Sequence, residues 1–397
     1  MFANYLQQRL RLGAQHFPFG GFKRRSQAEW YLLAALIVYA AICIVVYFAY
    51  VAPWIAGDIS TRIGADSDRY WEFVTYVQSL GSALFLFTTG SSLGPVTIGF
   101  FLHYGFAVMC FNFLLLILAI KIAASIPNVN VGVFGLLLLI NAELLPSLTT
   151  LNKEILALFS AVLIAKYLYS PRPSIFSLLG VLLVAAFSRW EAGAVLILYL
   201  FLKFVFRGHP KTALVCLIIF ITVAFPVYLR VLGLDLSSFD WLMQDANTIL
   251  TLNKIEYAYG FPLVVIPKII MVMAGVWVSP AYYTANPVFI RGFTDLQQQI
   301  FQPIGDIAMM AVFAYAVWTK RMRLTNPIAV FVATTLIVTA ATPFVQPRYL
   351  YGAYTMLCIE LARPKHLYGV TESTGTRMRK LFVGGKKPQQ DALGLGG

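Results

Sequence analysis

The chain has 397 residues, of which 59% are hydrophobic and only 12% charged, and its formal net charge is +13. Soluble domains run nearer roughly 45–50% apolar with about a quarter of residues charged. This composition, with a mean hydropathy of +0.75, therefore excludes an ordinary soluble fold and predicts an integral membrane protein. Surplus Lys and Arg are what cytoplasmic loops of such chains carry, so the charge predicts a lipid bilayer as partner and no nucleic acid.

Residues 1–29 set Arg9, Arg11, Lys23, Arg24 and Arg25 among Leu, Phe and Gly. They predict a basic amphipathic lead-in on the cytoplasmic membrane surface, held by lipid phosphates. Trp30 to Ala56 is long enough to cross a bilayer and reads as an anchor, not a cleaved signal. A first outer loop, 57–95, follows. Its Leu80 to Phe87 portion is apolar enough to lie in the interface or dip back in, before Gly90, Gly94 and Pro95 break it.

Further crossings are predicted at 96–120, 131–149, 155–169, 175–188, 192–206, 212–231, 304–319, 326–344 and 349–362. Between the sixth and seventh of these, a second outer loop, 232–303, holds Asp235, Asp240, Asp245, Glu256, Arg291 and Asp295, plus one apolar piece, Phe261 to Val278. If that piece crossed, Lys320, Arg321, Arg323 and the basic tail 363–397 would be left outside, against the positive-inside rule. It therefore reads as re-entrant or interfacial.

The expected architecture is all-α: a polytopic transmembrane helical bundle of about ten spans over 30–362, with both termini cytoplasmic. The tail is predicted to be disordered, and the location to be a bacterial cytoplasmic membrane. This topology sends most Lys and Arg inward but only Glu29, Glu360, Glu372 and Asp391 among the 17 acids. Acids contribute little to orientation, so their gathering on the outer face needs another cause. Cys43, Cys110, Cys216 and Cys358 fall in apolar segments and predict small buried hydrophobes. His16, His209 and His366 are cytoplasmic in this reading and His103 is alone in a span, with no metal-ligand spacing among them.

The sharpest signal is Gly64-Ala65-Asp66-Ser67-Asp68-Arg69-Tyr70-Trp71-Glu72, with three carboxylates close behind the first crossing. In a helix only one of Asp66 and Asp68 would face a cleft; in an extended segment both would. A carboxylate at a low-dielectric rim holds its proton better, which suits a general base. Alternatively, the stretch is a solvated loop with Arg62 and Arg69 as partners. Lys153 and Glu154 stand at the outer end of two spans, with Glu143 one to two turns earlier. Lys153 either holds a lipid phosphate or snorkels beside Glu154. In Ser188-Arg189-Trp190-Glu191, Arg189 is either satisfied by Glu191 or faces a polar cavity and binds phosphate. Gln346-Pro347-Arg348-Tyr349 offers a planar guanidinium suited to phosphate, or an aromatic-belt anchor. Trp241, Tyr257, Tyr259, Trp277, Tyr282 and Tyr283 could form a carbohydrate-stacking platform.

An acidic pair in the first outer loop resembles the modified DxD signature of the GT-C superfamily, polytopic glycosyltransferases that use polyprenyl-phosphate-linked sugars. The matching residues are Asp66 and Asp68, and the late Arg348-Tyr349 resembles a recurrent element of the same enzymes. The resemblance implies a GT-C-like fold with Asp66, then Asp68, as catalytic base or metal holder. It implies phosphate binding by Arg348 with Tyr349. The residue pattern adds Arg189 and Lys153 as candidate phosphate binders, with supporting roles for Glu72, Glu154, Glu191 and Arg69. The expected activity is inverting transfer of a sugar from a polyprenyl-phosphate-linked donor to an extracytoplasmic glycan or lipid acceptor, with a divalent metal ion left open. Two rivals stand beside it. One is an O-antigen or exopolysaccharide polymerase leaning on Arg291 and Arg348. The other is a polysaccharide or lipid-linked sugar transporter, against which stand the lack of internal repeats and the scarcity of mid-span charge.

Overall fold

A computed structural model describes residues 27–56, 65–231, 247–274, 300–342 and 347–364. The lead-in up to residue 26, Arg62, most of the second outer loop (including Trp241, Trp277, Tyr282, Tyr283 and Arg291) and the tail beyond 364 lie outside the described residues. Every regular element described is helical, with no strand.

Among the described residues, two helices are long and apolar enough to cross a membrane: Gln27–Val51 and Gly105–Ala123, of 25 and 19 residues. At 1.5 Å per residue they reach roughly 38 and 28 Å, against a hydrocarbon core of about 30 Å. The first comprises α1 (Gln27–Val46) and a wider π turn (Tyr47–Val51). It leaves Ile37, Val38, Val45 and Phe48 exposed, a surface that fits lipid.

The chain continues through α2 (Ala65–Ser79), a 3-10 stretch (Ala83–Ser92), α3 (Leu93–Leu102) and α4 (Gly105–Ala123). Then come α5 (Val131–Ile140), α6 (Leu144–Thr149), α7 (Glu154–Leu168), α8 (Ile175–Ser188), α9 (Trp190–Val205) and α10 (Pro210–Val231). The last group is α11 (Asn247–Tyr259), α12 (Val265–Ala274), α13 (Gln302–Trp318), α14 (Pro327–Ala340) and α15 (Tyr351–Leu361). Starts follow local chemistry. The Asn130, Ser174 and Asn326 side chains accept the amide hydrogens of Val133, Ser177 and Ile328, and Pro327 stands where a helix needs no donor.

The legs run back and forth between two polar ends. At one end Tyr169 donates to the Glu360 carboxylate, and the Asn130 amide donates to the Ala362 carbonyl at 2.9 Å. Arg189, Glu154, Asp66 and Arg348 meet at the other. Helices α7 and α15 are buried along nearly their whole length. They pack on each other, and α7 also packs on α4 and α8, so the core lies along this pair.

Several expectations are corrected. The predicted crossing 96–120 is two helices, broken at His103, whose φ of 57° is left-handed. His103 is therefore at a turn, with Nδ1 2.8 Å from Gln78 Nε2, and not within a span. Crossing 131–149 is also broken, at residues 141–143. Pro146 has no amide hydrogen for Ala142, and its ring crowds the backbone there. Cys43 and Cys358 are buried, but Cys110 is exposed and Cys216 half-exposed. In the apolar piece 261–278, the described helix α12 has only 10 residues, about 15 Å, too short to cross alone. Its Lys268 is fully buried, paired with Glu256 of α11.

Candidate functional site

The acidic stretch enters the first turn of α2, where carboxylates complement the positive end of the helix. Buried Ser67 then fastens this turn to the α6–α7 connection, donating within 3.0 Å of both Thr150 Oγ1 and the Leu151 carbonyl. The connection is itself held by Asn112 of α4, whose amide reaches the carbonyls of Ser147, Leu148 and Thr150 at 3.3, 3.2 and 2.9 Å. Asp66 and Lys153 thereby share one wall.

Asp66 Oδ2 accepts a charge-assisted hydrogen bond from Nη1 of Arg348, 282 residues later, in the 3-10 turn Pro347–Leu350. Both side chains keep about 30% of their surface open (31% and 28%). Behind them lies a second ion pair. Arg189 Nη2 donates to Glu154 Oε1 at 2.6 Å, and these side chains are only 8% and 2% exposed. The Tyr349 ring joins the two, with the Arg189 guanidinium 4.7 Å and the Arg348 guanidinium 6.0 Å from its centre, within cation–π range.

Two cavities flank this row. A polar one of about 330 Å³ is lined by Asp66, Arg69, Tyr70, Phe73, Lys153 and the 3-10 stretch at Thr88, Thr89, Gly90 and Ser92. An apolar one of about 290 Å³ starts at Arg189, Glu191 and Tyr349 and runs between α7, α9, α14 and α15, past Ile164, Val195, Phe331 and Met356. Burial, with the neighbouring Glu154 and Asp66 carboxylates, pushes the Tyr70 hydroxyl well above its ordinary range, so it remains a donor. Burial, then the adjacent Arg189, lowers Lys153 below the usual lysine value, an effect opposed by Glu154 and Asp66.

The expected partners change. Arg189 pairs with Glu154, not with Glu191, which is exposed at the mouth of the apolar cavity. Glu154 is thus taken, and Lys153 lines the polar cavity without it. The Asp66 partner is Arg348, while Arg69 stacks on Phe73 with its guanidinium 5.4 Å from the ring centre. As helical spacing requires, Asp66 alone of the acidic pair lines the cavity. Asp68 is half-buried elsewhere on α2, and Glu72 is exposed on the same helix and lines neither cavity. The pair therefore does not present two carboxylates together to a divalent ion, and no cluster of three or more His, Cys, Asp or Glu ligands occurs among the described residues. Of the suggested stacking platform, Tyr257 and Tyr259 are described; both are exposed on α11.

Sequence reasoning missed the wall formed by Thr88, Thr89, Gly90 and Ser92. Gly94 positions it: a Cβ there would stand 1.9 Å from the Phe187 carbonyl oxygen, so only glycine lets α3 sit this close to the end of α8. The chemistry gathered is specific. Three cations, Arg348, Arg189 and Lys153, and two carboxylates, Asp66 and Glu154, stand between a polar chamber and a greasy one. Neither a protein-family model, nor a curated protein, nor a solved structure matches the chain.

Proposed function

We propose that the chain is a ten-crossing membrane glycosyltransferase of GT-C type, moving a sugar from a polyprenyl-phosphate donor to an acceptor hydroxyl on the outer face. The observation that carries this reading is the Asp66–Arg348 pair at the junction of the two cavities. The apolar cavity suits an isoprenoid chain and the polar one a sugar with its acceptor. The row between them suits the phosphate that joins lipid to sugar. The alternating legs and the short α12 support a topology in which both termini share the Glu360 end.

In the resting site Arg348 occupies Asp66. An arriving phosphate offers Arg348 a bidentate partner, and a carboxylate relieved of its guanidinium is the better proton acceptor. Donor binding would thus free the base. The acceptor oxygen then attacks the anomeric carbon and its proton passes to Asp66. The bond from that carbon to the phosphate oxygen breaks, its electron pair stays on the phosphate, and the stereocentre inverts. Arg348, with Lys153 and Arg189, stabilises the charge that builds there.

The test compares envelope glycans, by mass spectrometry, in a host lacking the chain and complemented with wild type or Asp66→Asn at matched membrane levels. Loss of the wild-type product in Asp66→Asn is expected. Normal product from Asp66→Asn, with loss in Arg348→Ala, would overturn base catalysis and favour the polymerase reading.

A further inference from the structure

Below this site the broken third crossing creates a second polar centre. Asn141 and Glu143 lie in the gap between α5 and α6, and the Asn141 side-chain oxygen accepts the Glu143 amide hydrogen at 3.0 Å. Helix α13 presses into the gap at Gly305. A Cβ there would be 2.7 Å from Asn141 Oδ1 and 2.9 Å from Glu143 Cγ. This contact brings Asp306 to the same place, within electrostatic range of Glu143. Tyr351, the first residue of α15, and Tyr39 of α1 are also within electrostatic range of Glu143.

The centre is buried and incomplete. Asn141, Glu143, Asp306 and Tyr351 are 0, 7, 2 and 1% exposed. Yet Asn141 Nδ2, Glu143 Oε1, Asp306 Oδ2 and the Tyr351 hydroxyl find no hydrogen-bond partner among the described residues. Two ionised carboxylates side by side are costly in a dehydrated interior and must take up either protons or a cation. The carbonyl end of α5, a 10-residue helix, adds negative potential at the same point. Counting along α5, α13 and α15, the centre lies about 14–18 Å from the Glu360 end, about half the thickness of a hydrocarbon core of about 30 Å. Interrupted helices inside a bilayer hold small cations with unwound backbone and side-chain oxygens.

We propose that Glu143, Asp306, Tyr351 and the α5–α6 break form a binding site for one sodium ion. The donors are all oxygen, which suits a hard cation. The two carboxylates supply the charge, the Tyr351 hydroxyl a neutral ligand, and the Asn141 carboxamide holds the Glu143 backbone in place. One Na⁺ leaves a single net negative charge, which Arg348, although paired with Asp66, is near enough to Glu143 to temper. The inference does not depend on sugar transfer, because the site is complete without the cavities.

The experiment is radiolabelled ²²Na⁺ binding to the purified full chain in detergent, with no sugar or lipid donor, against choline as competitor. Wild type is expected to bind saturably, about one ion per chain, and Asp306→Asn to lose binding. Tyr351→Phe, which keeps the ring and drops one ligand, is expected to weaken it about tenfold. Asp66→Asn is expected to retain it, which separates this site from the surface carboxylates. Absence of saturable Na⁺ binding in wild type, or equal binding by wild type and Tyr351→Phe together with Glu143→Gln, overturns the proposal. Because the wild-type result is decisive alone, a carboxylate variant that fails to fold leaves the outcome readable.

Discussion

The two ion pairs flanking Tyr349 share their chemistry and differ in their surroundings. Glu154–Arg189 is almost sealed, while Asp66–Arg348 leaves about 30% of each side chain open. A sealed pair cannot part cheaply, because either charge left alone would be buried without compensation. An open pair is screened, contributes little to stability, and can exchange its partner for a ligand. The sealed pair suits holding the walls together, and the open pair suits the work proposed for it.

Breaking the open pair should give the largest functional effect. Asp66→Asn is expected to lower transfer at least about a thousandfold, the scale of losing a charge-handling group in a reaction centre, while the melting temperature stays within a few degrees. A large fall in stability would mean that both pairs are structural. Breaking the sealed pair should do the reverse. Glu154→Gln strands Arg189 and is expected to cost about 3–5 kcal/mol of stability, read as a lower melting temperature and poor recovery from membranes. Glu154→Gln that melts like wild type would remove the contrast.

Lys153 sharpens the comparison, since it belongs to neither pair. Lys153→Ala is expected to raise the KM for the phosphate donor about tenfold with kcat less affected. Its ammonium gives up its proton more readily than an ordinary lysine, so donor binding should fade on the alkaline side of the pH profile. Lys153→Arg, always charged, should carry that limb to higher pH; an unshifted limb would detach Lys153 from the phosphate. Smallest is Tyr349→Leu. Removing the ring between two guanidinium groups is expected to lower transfer about three- to tenfold, in line with cation–π contacts of about 0.5–2 kcal/mol.

Much of the site was legible because charge is rare in this chain and costly in lipid. Asp66, Arg348, Arg189 and Lys153 each stood out against apolar neighbours, but whether Asp66 and Asp68 would face one cleft together stayed open until the stretch proved helical. Their partners were not legible. Glu191 for Arg189 and Glu154 for Lys153 were chosen for nearness in sequence, but residues one or two apart on a helix point in different directions. The actual partners come from other legs of the bundle, through a tertiary register that no local pattern reports. The Thr88–Ser92 wall hid behind hydropathy, which describes what Leu84 and Phe87 show to lipid and says nothing of a turn built on the left-handed Gly90. Pro146 could have revealed the break in the third crossing, since a proline there cannot extend the helix before it.

The opposite end of the molecule has a use of its own. Glu360 takes the Tyr169 hydroxyl, Arg363 lies 4.0 Å over the Tyr169 ring, and Arg321 holds the last carbonyls of α15 at Glu360 and Leu361 at 3.0 and 3.2 Å. This buckle ties the exit of the final leg to two others before residue 364. A fluorescent or protease-cleavable reporter joined after it would pull on the buckle, not on the rim at Asp66 and Arg348. The chain can thus be labelled to learn which compartment that end occupies while its chemistry is measured undisturbed.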